Sequence, residues 1–323
     1  MTRAIRIHET GGPEVLRWEE VDVAAPAANE VLLRQTAVGL NYIDTYHRTG
    51  LYPLELPTIL GREAAGVVEA VGDAVDSLAV GDRVAYALEP GAYCETRVID
   101  AGRLVRLPDP IEDATAAAMV LKGLTAQYLL RSCYRVESGD TILIHAAAGG
   151  VGLIACQWAK ALGATVIGTV GSTQKAELAA AHGCDHPILY KEQDFVERVR
   201  ELTGGAGVKA VYDSVGRDTF DGSLDCLETR GTLVSFGQSS GPVEPFNIGV
   251  LAAKGSLSLT RPTLADFIAT SSQLASSSSE LFDLHISGAL RIEIGRTYPL
   301  SDAAQAHRDL EARKTSGSTV LLP

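Results

Sequence analysis

The chain has 323 residues, a formal net charge of −12 and a pI near 5.1, so neither nucleic acid nor an anionic membrane is the expected main partner. Hydrophobic residues make up 46% and charged residues 21%, which suits globular domains with sizeable cores, and no apolar run reaches the roughly 18 residues of a membrane span. The opening residues hold no signal-peptide pattern, and Cys94, Cys133, Cys156, Cys184 and Cys226 are widely spaced with no Cys-x-x-Cys pair, which predicts reduced thiols and a cytoplasmic location.

In chain order, residues 1 to about 110 hold short apolar or alternating runs at 31–38, 66–71, 82–85 and 93–99, punctuated by Gly, Pro and Asp. That spacing predicts a β-rich lobe. From about 112 the period becomes helical, and helices then alternate with strands expected at 141–146, 165–170, 187–190, 208–215, 231–236 and 256–259. This alternation predicts an α/β domain, a doubly wound parallel sheet whose ligand crevice lies at the carboxyl ends of the strands.

The most informative run is 141–152, TILIHAAAGGVG, an apolar strand entering a glycine-rich turn that opens the helical pattern at 153–162. A nucleotide pyrophosphate needs this arrangement: Gly149 carries no Cβ to block the phosphates, and Gly152 lets the helix pack closely with its amides facing the anion. Ala147 stands where the first glycine of Gly-x-Gly-x-x-Gly belongs, and a run of Ala and Gly also serves tight packing alone. In this fingerprint an Asp or Glu at the tip of the next strand accepts hydrogen bonds from the ribose of NAD. Here the strand at 165–170 runs into Gly171, Ser172, Thr173, Gln174 and Lys175 with no carboxylate, and two hydroxyls and a lysine favour the 2′-phosphate of NADP. Ser172 or Thr173 reads equally as a helix N-cap, and Lys175 as a solvated first-turn residue.

The other positions to inspect at the strand ends are Tyr190, Ser214 to Gly216, Gly237, Gln238, Thr260 and Arg261. The glycines at 204–207 precede a strand and read as a turn. The serine-rich stretch at 271–279, flanked by Phe267, Ile268, Leu274, Leu281 and Phe282, reads as the polar face of a helix. A strand at 291–299, a helix at 301–313 and a strand at 318–322 follow, a tail expected to return to the first lobe. His182 and His186 have the spacing of a helical metal pair, but Gly183 and Pro187 argue against a continuous helix there. His47 and His145 read as packing or hydrogen-bonding residues, and no metal site is expected.

The runs at 41–52 (NYIDTYHRTGLY), 61–66 (GREAAG), 80–84 (VGDRV), 122–126 (KGLTA), 146–152 (AAAGGVG) and 260–262 (TRP) together resemble the medium-chain dehydrogenase/reductase superfamily. Within it the chain is similar to the NADPH-dependent quinone oxidoreductases of the zeta-crystallin-like branch, and the resemblance covers essentially its whole length. It implies a GroES-like, β-rich catalytic domain over 1–122, completed by 263–323, and a Rossmann NADPH-binding domain over 123–262. In zinc-dependent relatives a Cys, a His and a second Cys hold the catalytic metal. The matching positions here are Asn41, Arg62 and Leu121, none of them a zinc ligand, and the four-cysteine structural zinc loop is missing, so a metal-free reductase is implied. Arg62 departs from the small polar residue usual in the quinone branch, and its cation is expected to orient or repel acceptors according to their charge.

Without a metal, hydride transfer to a quinone, or to the β-carbon of an enone, relies on hydrogen-bond donors where negative charge grows on the acceptor oxygen. A phenol, with an ordinary pKa near about 10, stays a donor at neutral pH. Asn41, Tyr46 and Tyr52 share one segment beside the lost metal position and form the expected catalytic pocket; helix capping, packing and loop anchoring are the other roles open to them. By resemblance, Ala148, Gly149, Gly150, Val151 and Gly152 hold the pyrophosphate. Gly171, Ser172, Lys175 and Tyr190 take the 2′-phosphate end, and Ser214, Phe236, Gly237, Gln238, Leu259 and Arg261 the nicotinamide side. Thr125, placed in the first turn of a helix, is a further nicotinamide contact, and Gly317 with Lys314 on the tail is expected to close over the cofactor. A quinone reductase is therefore expected, with an enone or enoyl thioester reductase as the neighbouring alternative. A structural or RNA-binding protein is the alternative of another class, which the acidic balance disfavours. The exposed sheet edge at 256–259 makes a homodimer the expected assembly.

Overall fold

Alternation in the first hundred residues produces β1 (Thr2–Ile7), β2 (Arg17–Val21), β3 (Glu30–Leu40), β4 (Thr58–Ile59), β5 (Glu63–Val71), β6 (Arg83–Ala87), β7 (Thr96–Asp100) and β8 (Val105–Arg106). In β3 every second residue from Val31 to Ala37 is buried, and from there to Leu40 both faces are covered. The run expected as a strand at 93–99 begins only at Thr96. Tyr93 and Cys94 are drawn to β1 instead, where the Ile5 N–H donates to the Tyr93 carbonyl at 2.8 Å. Helix α1 (Tyr42–Thr49) starts from Asn41 as its N-cap and stops at Gly50, whose φ of +81° few other residues adopt. Helix α2 (Asp113–Tyr128) is apolar nearly all round and buried through 116–124, Lys122 included.

The alternating second half produces β9 (Thr141–Ile144), α3 (Gly150–Ala161), β10 (Thr165–Val170), α4 (Thr173–Ala181), β11 (His186–Leu189), α5 (Phe195–Leu202), β12 (Val208–Asp213), α6 (Phe220–Asp225), β13 (Leu227–Ser235), α7 (Gly249–Ala253), β14 (Ser258–Thr260) and α8 (Leu264–Phe267). The six strands are all parallel in the order β11-β10-β9-β12-β13-β14. The chain winds outward from β9 in both directions, so the strand order reverses between β9 and β12, where a dinucleotide fold places its ligand. Leu143, Ile167, Val211 and Leu233 from four of these strands meet in one core. Strand β14 pairs with β13 alone and leaves an edge.

The tail forms α9 (Ser271–Ile286), β15 (Ile294–Pro299), α10 (Ala303–Glu311) and β16 (Ser318–Leu322). Ser271, Ser272, Ser276 and Ser279 are on the solvent face of α9, but Ser278 departs from the expected polar face and is buried with Leu274, Leu281 and Phe282. A Cβ at Gly123 of α2 would stand 2.5 Å from the Leu281 side chain, so that glycine is what lets α9 pack there. As the sequence pattern predicts, the tail returns: β16 lies antiparallel to β3 and parallel to β15, giving the order β15-β16-β3-β5-β6-β8 with β7 also on β3. Residues Ile5, Leu33, Val68, Tyr93 and Leu321 share the core over this sheet.

All residues, 1–323, are described in this computed structural model. They form two compact units, Met1–Leu124 with Ile268–Ile286 and Ile292–Pro323, and Thr125–Phe267 with Ser287–Arg291. The sequence places these divisions after 122 and 262; they shift because α2 runs unbroken past residue 122 and Phe267 stacks on Tyr128, ring centroids 4.5 Å apart. Residues 287–291 stay with the second unit, where the Arg291 N–H donates to Gln157 Oε1 at 2.9 Å. All five cysteines are free thiols, and no helix is long and apolar enough to cross a membrane.

Candidate active site

In the second unit the chain leaves β9 and reverses through the glycine-rich turn. Ala146 adopts φ +53°, the Ala147 N–H donates to Thr169 O on β10 at 3.1 Å, and the Gly149 N–H donates to Ala146 O at 2.9 Å. The departure at Ala147 is accommodated from the neighbouring strand. A Cβ at Gly168 would stand 2.6 Å from the Ala147 methyl, so the space usually kept by a glycine in the turn is kept by one in β10. A Cβ at Gly152 would collide with Ala146 O and lie 2.8 Å from Ala147 Cα, whereas one at Gly149 would meet only Ala146 O, at 3.2 Å. The first-turn amides of α3, starting at Gly150 and Val151, have no intrahelical acceptor, and no side chain caps them from Gly149.

At the tip of β10, Ser172 is the N-cap of α4 and its hydroxyl accepts the Lys175 N–H at 3.4 Å. Tyr190, just past β11, packs its phenol over Gly171: a Cβ there would be 3.0 Å from the hydroxyl oxygen. Gly171, Ser172, Lys175 and Tyr190 thus share one corner with no carboxylate among them. Along the sheet, Asp213 is fully buried and shapes the next loop, its Oδ1 accepting the Val215 and Gly216 N–H groups at 2.7 and 3.1 Å. The Phe236 N–H donates to Asp213 O at 2.8 Å, a Cβ at Gly237 would sit 2.6 Å from Ser214 O, and Arg261 Nη1 donates to Ser235 O at 3.0 Å. Ser214, Phe236, Gly237, Gln238, Leu259 and Arg261 therefore gather at the carboxyl ends of β12, β13 and β14.

One expectation changes. Thr125 is not in a first turn, because α2 begins at Asp113 and continues through Gly123, which leaves Thr125 buried near the helix's end. Gly317 lies with the tail in the first unit, where it precedes β16 at φ +62° and a Cβ would stand 2.5 Å from Glu293 O. His145 is a satisfied core residue, with Nδ1 2.9 Å from Thr169 Oγ1 and Nε2 3.0 Å from Ser223 Oγ. The chain past α4 turns at Gly183 with φ +88°, so His182 and His186 share no helix face.

In the first unit Asn41, Arg62 and Leu121 are organised around a residue the motif reading passed over, Glu63. It is fully buried. Its Oε1 accepts the Leu121 N–H at 2.7 Å, and its Oε2 accepts Asn41 Nδ2 at 2.8 Å and Lys122 Nζ at 2.7 Å. The other Asn41 amide hydrogen has only the Gly39 carbonyl at 3.4 Å, so Asn41 is a side chain held in place by Glu63. A Cβ at Gly39 would collide with Glu63 Oε2 and Ala117 O, and its absence admits the carboxylate. One sequence signal was available: Lys122 is a lone charge inside the apolar run of α2, and such a charge is buried only with a partner, here Glu63 at the start of β5.

Tyr46 and Tyr52 lie edge to face with ring centroids 5.3 Å apart, and Tyr52 packs against His47 at 5.7 Å. His47 Nδ1 is 3.3 Å from Tyr52 O. Burial, then the Arg62 cation, hold the His47 imidazole down to about 4, so it is neutral. Asp44, fully buried one turn earlier, receives the Asn41 N–H at 2.8 Å and the Tyr93 hydroxyl at 3.0 Å on the same oxygen, Oδ2. Burial pushes its carboxyl up to about 7, against the lowering pull of these two donors, Lys122 and Arg62.

Residues 27–130 match the family model described as alcohol dehydrogenase GroES-like domain, and 150–276 the one described as zinc-binding dehydrogenase. The chain is 54% identical to a quinone oxidoreductase of Pseudomonas aeruginosa over the full length of both. It belongs to the quinone oxidoreductases of the medium-chain dehydrogenase/reductase superfamily. The structure of the Escherichia coli quinone oxidoreductase complexed with NADPH is similar at a TM-score of 0.98 and 52% identity, over 99% of this chain and 100% of that one. A 2-haloacrylate reductase of a Burkholderia species is 47% identical over 100% of this chain and 99% of its own. Zinc does not fit this quinone oxidoreductase family member. The positions that would hold it carry an amide, a guanidinium and an aliphatic chain, the neighbouring Glu63 is committed to Lys122, and no other group of three His, Cys, Asp or Glu side chains is placed to take a metal.

Proposed function

We propose that this chain is a metal-independent reductase that uses NADPH to reduce quinones, its GroES-like unit meeting the acceptor and its Rossmann unit the cofactor. What carries the reading is the set Asn41, Arg62 and Leu121: a side chain set without zinc ligands, in a chain whose full-length relatives are named quinone oxidoreductases, leaves the acceptor oxygen to hydrogen-bond donors. The glycine cradle at 149–152 and the first-turn amides of α3 suit the pyrophosphate, and the acid-free corner of Ser172, Lys175 and Tyr190 suits a 2′-phosphate. Bound there, NADPH would supply the hydride. The phenols of Tyr46 and Tyr52 serve the acceptor as donors where its oxygen gains charge, and Asn41, fixed by Glu63, shapes the wall beside them. The 2-haloacrylate reductase likeness favours one second reading, reduction of an activated carbon–carbon double bond in the same pocket. We further infer a cytoplasmic homodimer joined along the free edge of β14.

A turnover panel tests the reading: NADPH or NADH against benzoquinone, naphthoquinone, enones and aldehydes. Quinone-dependent oxidation of NADPH above a no-enzyme control is expected, with NADH about tenfold or more less effective and aldehydes inert. Failure with every quinone overturns it, and turnover confined to enones transfers the assignment to the second reading.

A further inference from the structure

Arg62 is a half-buried cation with no anion of its own. Nη1 donates to the Leu88 carbonyl at 2.7 Å, and that is the one hydrogen bond the guanidinium makes within the protein. Two other arginines of the first unit are paired with carboxylates, the buried Arg48 with Glu311 at 2.7 Å and the half-buried Arg83 with Asp113 at 2.6 Å, while Arg97 spends its guanidinium on the Tyr86 hydroxyl at 3.2 Å and on backbone carbonyls. The carboxylates that Arg62 senses are engaged elsewhere. Glu89 pairs with Arg103 at 3.4 Å, and Asp44 receives Asn41 and Tyr93. A guanidinium carries five N–H donors in a planar fork, so most of its capacity is unspent, in a place where burial already disfavours the charge.

Unsatisfied polar capacity is concentrated around it. Only three buried side-chain polar atoms of the chain lack a partner, and two of them, Asp44 Oδ1 and His47 Nε2, stand one turn apart on α1 and both feel the Arg62 charge. Buried polar atoms are otherwise almost always paired, so such a cluster marks a place where a ligand completes the bonding. The same segment carries Tyr46 and Tyr52.

We propose that Arg62 is the residue that recognises an anionic group on the acceptor, a carboxylate bound through the two parallel N–H bonds of its fork, so that acceptors carrying a carboxylate beside the reducible ring or double bond are preferred over neutral ones. The proposal rests on residues 41–52 forming the acceptor pocket. An ion pair there also withdraws the negative charge that would otherwise oppose arrival of a hydride on the adjacent conjugated carbon.

The test compares kcat/KM for 1,4-naphthoquinone and its 2-carboxylate in the wild type, Arg62→Lys and Arg62→Gln, with benzoate as a competitive inhibitor of the neutral quinone. The carboxylate-to-neutral ratio is expected to fall about 30-fold in Arg62→Gln and less in Arg62→Lys, with benzoate inhibition weakened in the same order. Turnover of the neutral quinone reports separately on folding and chemistry in each variant. A ratio and a benzoate inhibition constant that both stay within about twofold overturn the role of Arg62 while leaving quinone reduction intact. Loss of neutral quinone reduction in the wild type overturns the pocket reading and this role with it.

Discussion

Asp44 is the residue whose ionisation the fold controls most directly. Its Oδ2 already accepts two donors, so the proton of the neutral acid resides on Oδ1, the oxygen without a partner. Its carboxyl lies near 7 in the folded chain and near about 3.9 in an unfolded one, so folding takes up a proton between these values. The stabilisation this gives is complete below the unfolded value and is lost as pH rises toward 7, at about 1.4 kcal/mol per pH unit. His47 and His307, held neutral at about 4 and about 3, act in the opposite sense, weakening the fold as pH drops below the usual imidazole range. Asp44→Asn copies the protonated acid and leaves both histidines in place, so they cancel in the comparison with wild type. Urea unfolding from pH 5 to 8 should therefore show the variant gaining on the wild type with rising pH and the difference levelling above about 7. A difference that stays constant with pH would mean that Asp44 is ionised throughout. Asn41, Tyr93, Lys122 and Arg62 all act on this carboxyl, and none of that was legible in the sequence, where Asp44 is one polar residue in a short helix; only its three-dimensional neighbours decide its charge.

At the scale of elements, the turn between β9 and α3 was the most legible part of the chain, because its requirements are local: an apolar strand, glycines at fixed offsets and a helix. What could not be read locally was why Ala147 is tolerated, since the compensating Gly168 lies on a different strand. The two turn glycines should also differ in a way their spacing does not reveal. Gly152→Ala forces a methyl against the backbone of Ala146 and Ala147, which cannot yield without moving the turn, while Gly149→Ala meets one carbonyl at 3.2 Å. Gly152→Ala is expected to weaken NADPH binding more than tenfold, and to lower the melting temperature further than Gly149→Ala does. Fluorescence titration with NADPH and a thermal melt of each variant check this ordering. Equal losses would place the constraint in the phosphate approach instead of the helix packing. The first-turn placement of Thr125 missed for a related reason: α2 continues through Gly123, whose bare Cα leaves room for Leu281.

For the whole molecule, the chain order and the spatial order differ, and the tail is where they part. Its strand, helix and strand were readable from periodicity, and its return to the first lobe, expected from the sequence, is made by β16 on β3. The exact divisions were not readable, because α2 and the 287–291 segment are assigned by tertiary contacts and not by composition. Strand β16 sits between β15 and β3 and pairs with both, Leu321 is fully buried in the core of this sheet, and Ser318 Oγ donates to Ala118 O at 2.7 Å. The first unit thus closes only when the last residues have been made. Deleting 314–323 removes the partner of the carboxyl half of β3 and leaves β15 unpaired, whereas the parallel sheet of the second unit loses nothing. Amide hydrogen exchange of the truncated chain should show β3 and β5 losing protection while β9, β10 and β12 keep theirs. The milder Leu321→Ala, which leaves the strand but hollows the core, is expected to cost about 2–5 kcal/mol in the first unit alone. Protection of β3 that survives the truncation would show that its pairing with β5 and β7 suffices and that the tail is an addition to a finished sheet.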